Sequence, residues 1–448
     1  MKAGAFDALS AGLFALTWAA IGCAAPQPVP ARATALNPNP LGASPTSAAL
    51  PPMLTSTLPR SSRATPTHTP ESETIVVRAR PVKIAQLIGD FDKHLHKPTL
   101  NLTWTRYKLA GTDLGIPFKH KNRIYLLFGD TIGQQPRGGD AFAYTTDTTP
   151  DDGLALELVA DTNGVYQPIR IPGISQGAFE VPSEGVSVSG RMYIYHTTDS
   201  NAKSDPEPKE DTKMGRSVVA VSDDDGQSFK YLYDLSIKHF INVSIIAVDA
   251  AHWAGLPSSQ GAGLVIFGSG DYRRSNVRVA FQPAEQIGSR ANVRYFAGLE
   301  RAGQPTWSAR EEDAVQLFDQ PCVGEFSVSY NRFIRKWIML YNCMGGGKLR
   351  GINLRTADHP WGPWSAAQVL FEPWDDKGYC HFIHTAWTFR NCDNVHDANR
   401  ENVWGGEYGP YQFEDFATGD SSATTIYFTL STWNPYTVVL MKATLQRK

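Results

Sequence analysis

From about Val82 onward, short runs of β-branched and aromatic residues alternate with clusters of Gly, Pro, Asn and Asp, and no long stretch keeps a 3.6-residue apolar period. The pattern predicts an all-β domain. One run, Ile124-Tyr125-Leu126-Leu127-Phe128, is apolar throughout, as expected of a buried strand, and Asp130 follows it where solvent or a cleft must begin. The preceding segment Lys119-His120-Lys121-Asn122-Arg123 has the polarity of a hairpin loop. Antiparallel pairing through that loop brings Asp113 and Asp130 toward one end of the same sheet. Each aspartate alone reads equally well as a turn cap bonded to its own backbone; two in one unit favour a site.

The predicted strands group into units at residues 111–161, 184–235, 242–296, 325–372 and 424–445. The last is short, and a strand near residues 100–108 is expected to complete it by closing a ring. A repeat of about 40 to 60 residues fits a five-bladed β-propeller better than a β-sandwich. Ser222-Asp223-Asp224-Asp225-Gly226-Gln227-Ser228-Phe229 fits the Asp-box pattern of outer propeller hairpins, so Asp224 is read as structural.

Composition narrows the function. The 448 residues carry a formal net charge of -2, which leaves no electrostatic footprint for nucleic acid. Charged residues make up 19% and aromatic residues 11%, a balance that suits an extracellular β protein stacking on sugars. Lys2, an apolar run from Leu9 to Ile21 and small residues around Cys23 read as an export signal, 1–23. Ala20-Ile21-Gly22-Cys23 looks like a lipobox, with Cys23 as the acylated residue; ordinary signal-peptidase cleavage is the alternative. The expected location is the cell envelope through a lipid anchor, or the periplasm or exterior. Residues 24–80, rich in Pro, Ala, Thr and Ser, are expected to be a disordered linker before the propeller domain at 81–448. Four further cysteines suggest two disulfides, Cys322 with Cys343 and Cys380 with Cys392 by chain order, one of three possible pairings.

In a propeller the first strand of each blade lines the central channel, so acidic residues at strand starts converge. Asp113, Glu184 and Glu325 are the candidates, and Asp130 ends the second strand of its unit as Asp271 does in the third. Glycoside hydrolysis needs one carboxylic acid and one carboxylate, about 5 Å apart for retention and ~6.5 to 9.5 Å apart for inversion. The plainer reading of Glu184 and Glu325 is a strand-end residue bonded to backbone. Tyr272, Arg273, Trp404, Tyr408, Tyr411, Trp433 and Tyr436 are available to grip sugars, although most such aromatics in β proteins pack. His381 and His384 would straddle a strand, which makes a metal pair weak, and the glycines at 345–347 read as a turn. No cofactor is expected; a structural calcium ion in the channel is the one addition propellers suggest.

GTDLG, FGDT, SEGVSVSGRMYIY, FGSGDYRRSNV, GEFSVSYNRFIRKWIMLY and STWNPY together resemble a bacterial domain-of-unknown-function family, DUF4185, placed among glycoside hydrolases as family 183, the endo-D-arabinanases. The likeness spans roughly residues 100–445. It implies a five-bladed propeller cleaving α-linked D-arabinofuranose chains of arabinogalactan or lipoarabinomannan type. Asp113 and Asp130 then look like the essential acidic pair, with Asp113 as general base, the acid among Asp130, Glu184 and Glu325, and inversion as the outcome. The alternatives are a propeller glycosidase for another furanoside polymer and a carbohydrate-binding propeller without catalysis.

Overall fold

The computed structural model describes residues 74–135, 139–200, 214–343 and 351–448. The expected signal with Cys23, the linker up to residue 73 and the glycines at 345–347 lie outside them. Five antiparallel sheets form the blades of the expected propeller. Their inner strands are Leu114–His120, Pro182–Val188, Asn242–Asp249, Val323–Asn331 and Glu407–Gly419. Each touches the next and the fifth touches the first, which closes the ring.

Every residue of Lys336–Cys343 and Ile352–Ala357 is buried, because neighbouring blades cover both faces. Continuous apolar runs therefore replace alternation in these middle strands. The apolar core is divided into wedges between blades. Leu126 and Phe128 of the first blade meet Phe413 and Tyr427 of the fifth. Leu127 packs with Ile194 of the second blade, Val219 with Ile266 of the third, Phe267 with Trp337 of the fourth, and Leu340 with Phe428 of the fifth. At the centre, Ser187, Ser244, Ser327, Ser329 and Gln412, among apolar neighbours such as Ile116, Phe118 and Val328, line a channel of about 200 Å³.

The ring is closed by a different segment from the one expected. Ile75–Gln86 pairs antiparallel with Thr437–Arg447 as the outer strand of the fifth blade, so the linker gives way to strand at Ile75. Its edge position explains why the polar, Pro81-containing sequence reads poorly as a strand. Residues 100–108 instead contain a five-residue helix, Thr103–Tyr107, whose Trp104 and Thr105 amides donate to the Asp90 carboxylate at 2.9 and 3.1 Å. The fifth blade also has an inner strand, Glu407–Gly419, that the apolar pattern hid. Gly409 and Pro410 interrupt it, and its register shifts between Tyr408 and Tyr411.

The Asp box forms as read. Ser222 Oγ donates to Asp224 Oδ1 at 2.7 Å, Ser228 N donates to the same oxygen at 2.9 Å, and Phe229 is buried. Cys322 bonds Cys343 and Cys380 bonds Cys392, the pairing expected from chain order. His381 lies in a turn and His384 in the irregular chain after it, neither on a strand.

Candidate active site

Asp113 stands at the channel mouth because the chain bends sharply after it: Leu114 has φ 66° and Gly115 φ 77°, and the ladder resumes with Leu114 opposite Phe128. The Asp113 carbonyl accepts the Gly129 amide at 3.1 Å. Its Oδ2 accepts the Tyr408 hydroxyl at 2.9 Å, while Oδ1 is buried with no hydrogen-bond partner. Gly129 is needed beside it, since a Cβ there would lie 2.4 Å from Oδ1.

Asp130 lies on the paired strand and is half-buried. The amide of Phe179 donates to its two oxygens at 3.2 and 3.3 Å, and its carbonyl accepts the Tyr436 hydroxyl at 2.8 Å. Burial pushes the Asp113 carboxyl well above the usual range, and the Asp130 charge pushes it further; the Tyr408 hydroxyl, and the nearby Tyr436 hydroxyl whose own hydrogen bond goes to the Asp130 carbonyl, oppose this only in part. The structure thus brings Asp113 and Asp130 close enough for one charge to act on the other, as expected.

Glu325 stands at the same mouth in a different state. Arg273 donates to it through Nη2 at 2.8 Å and Nε at 3.2 Å, and the Tyr272 hydroxyl donates at 2.8 Å. Burial alone would raise its carboxyl, but Arg273 and Asn342 outweigh burial and hold it below the usual range. Glu325 is thus an ionised anchor for Arg273, whose guanidinium lies over the Tyr272 and Tyr408 rings at 4.6 and 5.6 Å.

Glu184 does not join this cluster. It sits inside the channel, where Oε1 accepts the Gly185 amide at 3.0 Å and Oε2 accepts Ile245 N at 3.1 Å and Ser244 Oγ at 3.2 Å. Burial pushes it up to about 8 against these donors, so it is neutral at pH 7. Its oxygens are taken, and a calcium ion, which requires about six to eight oxygen ligands, does not fit that donor set. Among the described residues the one group spaced for a metal is Cys380, Cys392 and Asp393, and its two sulfurs form a disulfide.

The predicted binding residues divide similarly. Tyr272 and Arg273 reach the mouth, while Asp271 is exposed at the head of their turn. Tyr436 stacks edge-on with Trp433 at 5.8 Å, and Arg400 covers Trp433 at 4.5 Å. Asn434 fixes their loop by donating to the carbonyls of Val403 and Arg400 at 2.7 and 3.0 Å.

Glu407 was missed. It begins the fifth inner strand, and burial pushes its carboxyl up to about 8, with Glu372 adding to the shift and Arg273 opposing it. The available signal was a Glu at a strand start next to an aromatic, as at Glu325, but the strand itself was not recognised. A partly desolvated carboxyl pair flanked by phenols and an anchored guanidinium is suited to general acid–base chemistry on a neutral, hydroxyl-rich substrate.

Comparison with known proteins adds the following. The chain resembles a Bacteroides ovatus protein provisionally called a hydrolase, at 13% identity and a TM-score of 0.49, over 75% of this chain and 86% of that one. An exo-β-1,3-galactanase of Phanerochaete chrysosporium, at 8% identity and TM-score 0.41, is matched over 81% of this chain and 64% of its own. An α-L-arabinofuranosidase of Podospora anserina gives 10% identity and TM-score 0.41 over 82% and 96%. A search of curated proteins finds no match. Residues 99–442 match the family described as a domain of unknown function, DUF4185, and the chain belongs to that family.

Proposed function

We propose that this protein is a glycoside hydrolase of the family 183 type, cleaving internal α-D-arabinofuranosyl linkages of D-arabinan with inversion. The observation that carries the reading is the Asp113–Asp130 pair, in which the Asp113 carboxyl is pushed up by desolvation and by the Asp130 charge beside it. Such a pair keeps one proton available near neutral pH. Asp113, the carboxyl whose proton affinity is raised, supplies it to the leaving oxygen, and Asp130 takes a proton from the water that attacks the anomeric carbon from the opposite face. The electrostatics thus favour exchanging the roles assigned from the sequence, where Asp113 was the base. The two hydrogen bonds from Arg273 to Glu325 argue against Glu325 as the acid. The D-arabinan substrate rests on the family resemblance, and export with Cys23 acylation accords with a polymer met outside the cell.

The test is incubation of the purified protein with mycobacterial arabinogalactan, L-arabinan and a fructan, with products read by chromatography and the new anomer by NMR. Oligosaccharides from arabinogalactan, released first as the β-anomer, support the proposal. Saturable binding with no new reducing ends would make the protein a carbohydrate-binding propeller instead.

A further inference from the structure

The segment between the fourth and fifth blades, residues 372–406, carries an aromatic cluster outside the acidic mouth. Tyr379 and Trp404 stand 5.5 Å apart between ring centres, Trp404 and Phe389 5.2 Å, Phe389 and Trp374 6.0 Å, and Trp374 and Tyr379 4.7 Å. Two of these rings face solvent, Trp374 at 42% and Phe389 at 66% exposure. Adjoining exposed rings mark a binding surface more often than an isolated exposed apolar residue does.

The platform is held rigidly. Cys380–Cys392 staples its base, and His384 Nδ1 meets Asp393 Oδ1 at 2.6 Å. Trp374 N donates to Glu372 Oε2 at 2.8 Å, and Asp376 pairs with Arg80 at 2.6 Å. Rings held this way lose little freedom on binding, and because they are tilted by 46° to 79° to one another they offer separate stacking faces to successive units of a chain. The platform is also continuous with the mouth. The Tyr379 hydroxyl donates to Gly405 O at 3.3 Å, and from there the chain enters the strand Glu407–Gly419, whose Tyr408 hydroxyl donates to Asp113 Oδ2 at 2.9 Å. Glu407 in turn lies in the field of Arg273, the guanidinium anchored on Glu325.

We propose that Trp374, Tyr379, Phe389 and Trp404 form a glycan-binding platform that extends the cleft and holds the polysaccharide chain away from the bond being cut. The proposal rests on the hydrolase reading for the identity of the chain. Its occupant is a neutral polysaccharide, whose C–H faces stack on the rings while its hydroxyls remain in water. Continuity with the acidic mouth selects this occupant over residues 1–73 of the chain or a second copy.

The test combines affinity electrophoresis in gels containing arabinogalactan with steady-state kinetics, for the wild type, Trp374→Ala/Phe389→Ala and Trp374→Tyr/Phe389→Tyr. Loss of two stacking faces raises the dissociation constant and KM roughly tenfold in the alanine variant while kcat stays within about twofold, and the tyrosine variant recovers most of the affinity. Unchanged retardation of the alanine variant overturns the platform, even where product is still released. Wild-type self-association that disappears in the alanine variant, read by light scattering, overturns it in favour of a second copy. Retardation of the wild type alone, with no product from any protein, keeps the platform and defeats the hydrolase reading.

Discussion

Asp113 at the channel mouth and Glu184 inside the channel are both carboxyls pushed upward by burial, yet their surroundings differ in kind. Both oxygens of Glu184 accept from fixed donors on two adjacent inner strands, and no second carboxylate contributes to its shift. Asp113 has one oxygen without a partner and a second carboxylate beside it. A buried polar atom left unbonded costs about 1 to 3 kcal/mol, which a native fold tolerates where a ligand completes the bond. On the proposed reading, unfinished hydrogen bonding and a neighbouring carboxylate set Asp113 apart from Glu184, which ties two adjacent blades together.

The sharpest way to break this comparison is replacement of each carboxyl by its amide. Asp113→Asn lowers kcat by roughly 10²- to 10⁴-fold, the usual share of a general acid, with the fold intact by circular dichroism. Glu184→Gln leaves kcat within about threefold, since its partners are structural. Comparable losses in both would erase the distinction.

Stability against pH sharpens it next. Glu184 is near 8 when folded against a usual 4.5, so its favourable contribution is complete below about pH 4.5 and lost as pH rises through about 8. Between pH 5 and 9 the wild type then loses roughly 4 kcal/mol through this one group, and Glu184→Gln removes that loss. Urea midpoints across that range read the difference, and parallel profiles would contradict it. Arg273→Ala leaves Glu325 buried without its cation and costs about 3 kcal/mol in the same assay, with a fall in activity from the disturbed mouth. The smallest effect belongs to the Asp box: Asp224→Ala loses about 1 kcal/mol of stability with activity unchanged.

The fold was legible where apolar runs were uninterrupted. Ile124 to Phe128 gave a strand, the repeat gave five blades, and Ser222 to Phe229 gave an outer hairpin. It was illegible where sequence and burial part company. The ring-closing strand from Ile75 is a half-exposed edge with Pro81 in it, and Gly409-Pro410 breaks the fifth inner strand. Missing that strand hid Glu407, and the aromatic platform on 372–406 belongs to irregular chain with no period to detect. Asp113, Asp130, Arg273 and Tyr436 were readable because each flanks a recognisable apolar run, although the strand carrying Asp130 continues past it to Gly133. Their separation from Glu184 was not, since depth along the channel depends on one or two residues of register.

The most direct measurement is oligosaccharide release from arabinogalactan by wild type, Asp113→Asn and Glu184→Gln, assayed side by side at one protein concentration. The account predicts product from the wild type and Glu184→Gln and almost none from Asp113→Asn. Product from Asp113→Asn at the wild-type rate, or its loss only in Glu184→Gln, would place the chemistry in the channel and contradict it.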